Sequence, residues 1–185
     1  MRKRRLLISA AAAIAAACVL SGYDCSVLCA AAIAVLIHEL GHLVAICVLG
    51  LHVKGFDFEI SGLKIVYSGL SNWLKDFIIA VSGPLFGLAY YLSLSGTGMH
   101  VCNLSAKISA LYSLFNLIPV LPLDGGRMML SAAAAMLDEE ESIKLTSKIS
   151  LCLSMALSAL GLGLMLFGEG SAMFAAGIWL LLLQK

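Results

Sequence analysis

Apolar runs cut the chain into pieces close to the length a helix needs to cross a bilayer, and this limits the fold more than any other feature. Crossing about 30 Å of hydrocarbon takes roughly 20 helical residues. Measured that way, the sequence offers six candidate spans: Leu6 to Gly22, Ser26 to Leu49, Asp76 to Ser95, Leu104 to Leu137, Ser150 to Phe167 and Ser171 to Leu183. The fourth is over-long and holds Pro119, Pro122, Gly125 and Gly126, so a kinked or partly unwound helix is expected there. With 61% hydrophobic and 12% charged residues, the chain is too apolar for an ordinary soluble domain. The expected fold class is an all-α polytopic membrane protein of about six transmembrane helices. One integral-membrane domain over residues 1–185 is expected, with no PDZ or C-terminal regulatory domain. Its surroundings are the lipid bilayer, and a net charge of +1 supplies no field for nucleic acid.

Basic residues near span ends favour the cytoplasmic side. The opening "MRKRR" therefore puts the N-terminus inside, and counting spans from it puts His52 to Lys75, Lys144, Lys148 and Lys185 inside as well. The expected location is a bacterial cytoplasmic membrane. The first span has a second reading as a secretory signal, because it joins a basic start to an alanine-rich apolar stretch. The charged stretch "MLDEEESIKLTSK" reads as a solvated cytoplasmic connection. The six cysteines include no C-x-x-C pair and read as small apolar residues.

Between spans two and three, "VKGFDFEISGLKIVYSG" changes from helical period to alternation, which predicts a cytoplasmic-side β-hairpin. A two-residue turn at Ser61 and Gly62 would set Glu59 opposite Lys64, Phe58 opposite Ile65 and Phe56 opposite Tyr67.

The second span carries a costly insertion. Within "AVLIHELGHLVAICVLG", His38, Glu39 and His42 fall within five residues of an otherwise apolar run. Ionisable groups at such depth normally line a functional interior, although partners on neighbouring helices could also satisfy them. His38 and His42 return to one helical face about 5.4 Å apart, so both imidazoles can reach one ion. This H-E-x-x-H spacing is the one zinc hydrolases use, with the intervening glutamate as general base. From Ser26, His38 lies about 18 Å along the helix, near mid-membrane. A catalytic zinc needs a third protein ligand. Asp124, in "FNLIPVLPLDGGRMML", is the candidate, since it is another ionisable group in an apolar run. It also has an alternative partner in Arg127, which could instead orient a ligating carboxylate. His52 and His100 fall in expected loops and are left out of the metal site.

Three motifs together, "HELGH" from His38 to His42, "SGP" from Ser82 to Pro84 and "NLIPVLPLDGGR" from Asn116 to Arg127, resemble the site-2 protease family of intramembrane zinc metalloproteases. The likeness is to its compact bacterial branch, which includes a sporulation protease that processes a sigma-factor precursor. The resemblance implies Zn2+ held by His38, His42 and Asp124, Glu39 as catalytic base, and Asn116 as a substrate-binding residue. It implies a helix-packing role for the SGP motif, and a hairpin from Val53 to Tyr67 that receives substrate as an added strand. The function it implies is hydrolysis of peptide bonds within or near the transmembrane segment of membrane-anchored protein substrates. The competing class is a membrane zinc-binding transporter or sensor without proteolytic activity.

Overall fold

A computed structural model describes residues 25–59, 62–69, 72–94 and 100–184. The elements are α1 (Cys25–Val48), β1 (His52–Glu59), β2 (Gly62–Ser68), α2 (Trp73–Leu94), α3 (His100–Asn116), α4 (Asp124–Ala133), α5 (Glu139–Met165) and α6 (Ser171–Leu183). The candidate span Leu6 to Gly22 lies outside the described residues.

Among the described residues, three helices are long and apolar enough to cross a membrane: Ser26–Val48, Trp73–Leu94 and Glu139–Met165. The expected fourth span is broken. Helix α3 ends at Asn116, residues 117–123 are unwound, and α4 begins at Asp124. At 13 residues, α6 is about 20 Å long, short of the hydrocarbon thickness. The charged stretch read as a connection is instead largely the start of α5. Asp138 caps it by accepting the Glu141 N–H at 2.8 Å, and Glu139, Glu140 and Glu141 occupy the first turn, where the helix dipole favours negative charge.

The helices pack through small and hydroxylated residues and turn large apolar ones outward. On α1, Ala30, Ala34, His38 and Ala45 are buried, while Val35, Leu36, Leu40, Val44 and Val48 are exposed. Ser105, Ser109 and Ser113 form the buried stripe of α3, and Ser142, Thr146, Ser150, Ser154 and Ser158 that of α5. A soluble protein would reverse this, whereas in lipid small residues let backbones approach and large apolar chains face the tails. Hydroxyls in these stripes bond to carbonyls, Ser154 Oγ to Ser150 O at 2.8 Å and Ser109 Oγ to Gly87 O at 3.2 Å. Helices α1, α2 and α3 pack against one another, α4 lies on α2 and α5, and α5 packs on α6.

Helix α1 stops where the chain reaches Gly50, at φ +70°. The Gly50 N–H reaches Cys47 O at 3.1 Å and the Leu51 N–H reaches Ile46 O at 3.0 Å, the bond pair of a Schellman terminus, and Leu51 and Ile46 share an apolar cluster. The chain is thereby turned directly into β1. The hairpin register differs from the expected one: Glu59 pairs with Gly62, Asp57 with Lys64, Phe58 with Leu63 and Phe56 with Ile65. Gly62 lies inside β2, and from Phe56 to Glu59 each partner slides by two relative to the expected pairing. An irregularity between Val53 and Gly55 then sets Tyr67 opposite Val53 rather than Phe56.

Candidate metal centre

A buried cluster of ionisable side chains joins α1 to α4. On α1, the four-residue spacing puts His38 and His42 on the buried face, 1% and 5% exposed. Their ring centroids are 5.0 Å apart, edge to face. Asp124, 6% exposed, is the first residue of α4. Its Oδ2 lies 2.9 Å from His38 Nε2 and 3.2 Å from His42 Nε2, and the two Nε2 atoms are 3.3 Å apart.

The protonation pattern can be argued from the partners. His42 Nδ1 sits 2.7 Å from the Ile79 carbonyl oxygen, which can only accept, so Nδ1 carries the proton. In the neutral ring Nε2 then presents a lone pair, and it faces the carboxylate and the other imidazole. Three lone-pair-bearing atoms converging in an apolar bundle repel one another unless a cation or proton lies among them. Two imidazole nitrogens and a carboxylate oxygen are a donor set that zinc accepts, and a carbonyl fixing the far ring nitrogen is the usual support for a ligating histidine. His38, His42 and Asp124 are also the one group of three potential ligands this close together among the described residues.

The surroundings are built to hold that convergence. Asp124 depends on the unwound segment before it, whose backbone must find partners within the bundle. The Leu121 N–H donates to Ser150 Oγ at 2.9 Å, Gln184 Nε2 donates to Leu121 O at 2.6 Å, and the Leu123 N–H donates to Val120 O at 2.9 Å. Opposite the histidines, α2 passes with Gly83 against them. A Cβ there would collide with His42 Nε2 and come within 2.9 Å of His38 Nε2, so only glycine leaves both rings in place. Tyr112 of α3 closes another side, its ring 4.8 Å from that of His38 at 72°.

Glu39 is half-buried on α1, within electrostatic reach of His38, His42, Asp124 and Arg127. Asn116 is buried at the end of α3, where its Nδ2 donates to Tyr112 O at 3.0 Å. Arg127 Nη1 donates to Asp124 Oδ1 over a long 3.5 Å, leaving Oδ2 to the histidines. His52 is exposed on β1, away from this group.

Reasoning from the sequence missed Ile79, Tyr112 and Ser150. A backbone carbonyl leaves no mark in a sequence, and tyrosine or serine in an apolar helix reads as ordinary packing. Gly83 lay inside the SGP motif but was credited only with helix packing.

With this geometry established, the similarities to known proteins become informative. The model of Peptidase family M50 matches residues 93–157. A protein of Synechocystis sp. named as a candidate zinc metalloprotease is 35% identical over 107 residues, covering 52% of this chain and 28% of the relative. Stage IV sporulation protein FB of Bacillus subtilis is 28% identical over 152 residues, covering 78% of this chain and 52% of the relative. The chain is similar to peptidase family M50 over residues 93–157. Its fold is that of the site-2 protease from Methanocaldococcus jannaschii, with a TM-score of 0.72 at 18% identity, over 92% of this chain and 82% of that one. The chain spans about a quarter and about half of the lengths of the two curated relatives.

Proposed function

We propose that this chain is an intramembrane zinc metalloendopeptidase of the site-2 type. It would cut membrane-anchored proteins within or near their spans, a tethered transcription or sigma factor among the candidate substrates. His38, His42 and Asp124 would hold the zinc, Glu39 would be the general base and Asn116 would contact the substrate. The observation that carries the reading is the meeting of two Nε2 atoms and Oδ2 of Asp124 within 3.3 Å, with the His42 proton committed to Ile79.

When bound, zinc would supply Lewis acidity that polarises the scissile carbonyl and makes water acidic enough to react near neutral pH. The protein's own groups would do the rest. The Glu39 carboxylate takes a proton from the attacking water as oxygen bonds to the carbonyl carbon, then gives it to the amide nitrogen as the C–N bond breaks. Asn116, one residue before the chain unwinds, would donate to the substrate backbone or to the developing oxyanion. Arg127 would orient the second oxygen of Asp124.

A helical substrate hides its carbonyls in its own hydrogen bonds and must unwind before cleavage, so the freed groups need partners. An edge of the β1–β2 hairpin would supply them. Tyr67 of β2 and the first turns of α2 and α5 line one cavity, which supports placing these segments at one membrane face; the proposed face is the cytoplasmic one, with the N-terminus inside.

The test is Glu39→Gln in the full chain, reconstituted with zinc and compared with the parent chain by proteomics of the host membrane. The variant should keep its zinc and its thermal transition while substrate fragments disappear. Undiminished fragments would remove Glu39 from the chemistry. Zinc flux into vesicles with no proteolysis by the parent chain would favour a transporter.

A further inference from the structure

We infer that Tyr67, Asp76 and Arg127 form a positioning device that couples the hairpin to the Asp124 carboxylate, so that what happens at β2 is felt at the metal-binding group. Its purpose rests on the hydrolytic reading above; its existence rests on the cavity the three side chains share and on the contacts within it.

Tyr67 stands near the end of β2, opposite Val53. Its hydroxyl donates to Asp76 Oδ1 at 2.8 Å, in the first turn of α2. Arg127 of α4 lines the same cavity, within electrostatic reach of that hydroxyl, and its Nη1 reaches Asp124 Oδ1 at 3.5 Å. All three side chains line one cavity of about 440 Å³, and Arg127 is the one cation among its lining residues.

A guanidinium offers five N–H donors in a fixed plane, enough to serve two acceptors. A separation of 3.5 Å is at the weak end for a hydrogen bond, and the Arg127 side chain is 40% exposed. Arg127 is therefore not locked to Asp124, and it lines one cavity with the Tyr67–Asp76 pair. Because Arg127 follows Asp124 by less than one helical turn, any change in its allegiance is registered at that carboxylate. An extended segment pairing with the hairpin would shift β2, change what Tyr67 and Asp76 offer the guanidinium, and alter how much negative charge Asp124 keeps for the ion. Without the phenol hydroxyl, Asp76 loses a donor and draws Arg127 away from Asp124.

A double-mutant cycle on the full chain in nanodiscs tests this. Zinc affinity is measured by chelator competition and the visible band by cobalt substitution. Tyr67→Phe should change zinc affinity by 10-fold or more and shift the cobalt band, which loss of a merely structural contact would not do. In an Arg127→Met background, or in Asp76→Asn if that chain does not fold, the same substitution should change neither. Arg127→Lys should resemble Arg127→Met, because an ammonium cannot span both acceptors. An unaltered band and affinity in Tyr67→Phe, or an equal change in both backgrounds, would overturn the inference. If the coupling is present but the parent chain cleaves nothing, the device stands and the hydrolytic reading falls; cleavage without coupling separates them the other way.

Discussion

Gly83→Ala adds one methyl group at the most crowded point of the site. The new Cβ would collide with Nε2 and Cε1 of His42 and sit 2.9 Å from His38 Nε2. Two effects compete. Within a helix, alanine gains up to about 1 kcal/mol over glycine. Against that, overpacking a close-packed interior costs about 1–3 kcal/mol, and turning the His42 ring away to relieve it breaks the buried bond to Ile79 O, worth about 1 kcal/mol more. The steric term wins, so the variant should be destabilised by about 1–3 kcal/mol. A moved ring also loses its aim, and at least a tenfold loss in zinc affinity, about 1.4 kcal/mol, is expected. Gly163→Ala on α5 is the control, since a Cβ there meets nothing within 4 Å, and it should be neutral or slightly stabilised. Thermal unfolding in detergent and chelator competition for zinc measure both quantities. Wild-type stability together with wild-type zinc affinity in Gly83→Ala would refute the steric reasoning.

Asp124→Asn keeps the shape of the side chain but removes the charge, so zinc retained after dialysis, measured by elemental analysis, should fall well below one per chain. Ser150→Ala leaves the half-buried Leu121 N–H without its partner and should lower stability by about 1 kcal/mol, read as a drop in the thermal midpoint. Burial and the bond to Asp76 push the Tyr67 phenol up to about 12, against about 10 for a free tyrosine. The folded chain then keeps that proton longer than the unfolded one, so this contribution to stability is complete below about pH 10 and declines as pH rises towards 12. Phenolate absorbance of the parent chain minus that of Tyr67→Phe should report a midpoint near 12, and a midpoint near 10 would show a solvated, unbonded hydroxyl.

The sequence could show where the break in the fourth apolar run would fall, because two prolines and a glycine pair cannot continue a helix without loss. It could also show that His38 and His42 share a face, since helical periodicity is a local property. The hairpin was legible from its alternation, but its register was not: sliding every partner by two leaves the alternation unchanged, so alternation cannot choose between the two pairings. The extent of α5 was misjudged for a related reason. Hydropathy marks the part of a helix that sits in lipid, while the cap at Asp138 sets where the helix begins.

By itself, then, the sequence determined the class of fold, the two-histidine face and the glutamate between them, because each depends on spacing along one segment. Only the tertiary structure decided that Asp124 Oδ2 meets both Nε2 atoms, that Ile79 fixes the His42 proton and that Ser150 and Gln184 hold the unwound chain. Those contacts join residues 29 to 86 positions apart, several through backbone atoms common to every residue type, and their partners are chosen by how the helices pack.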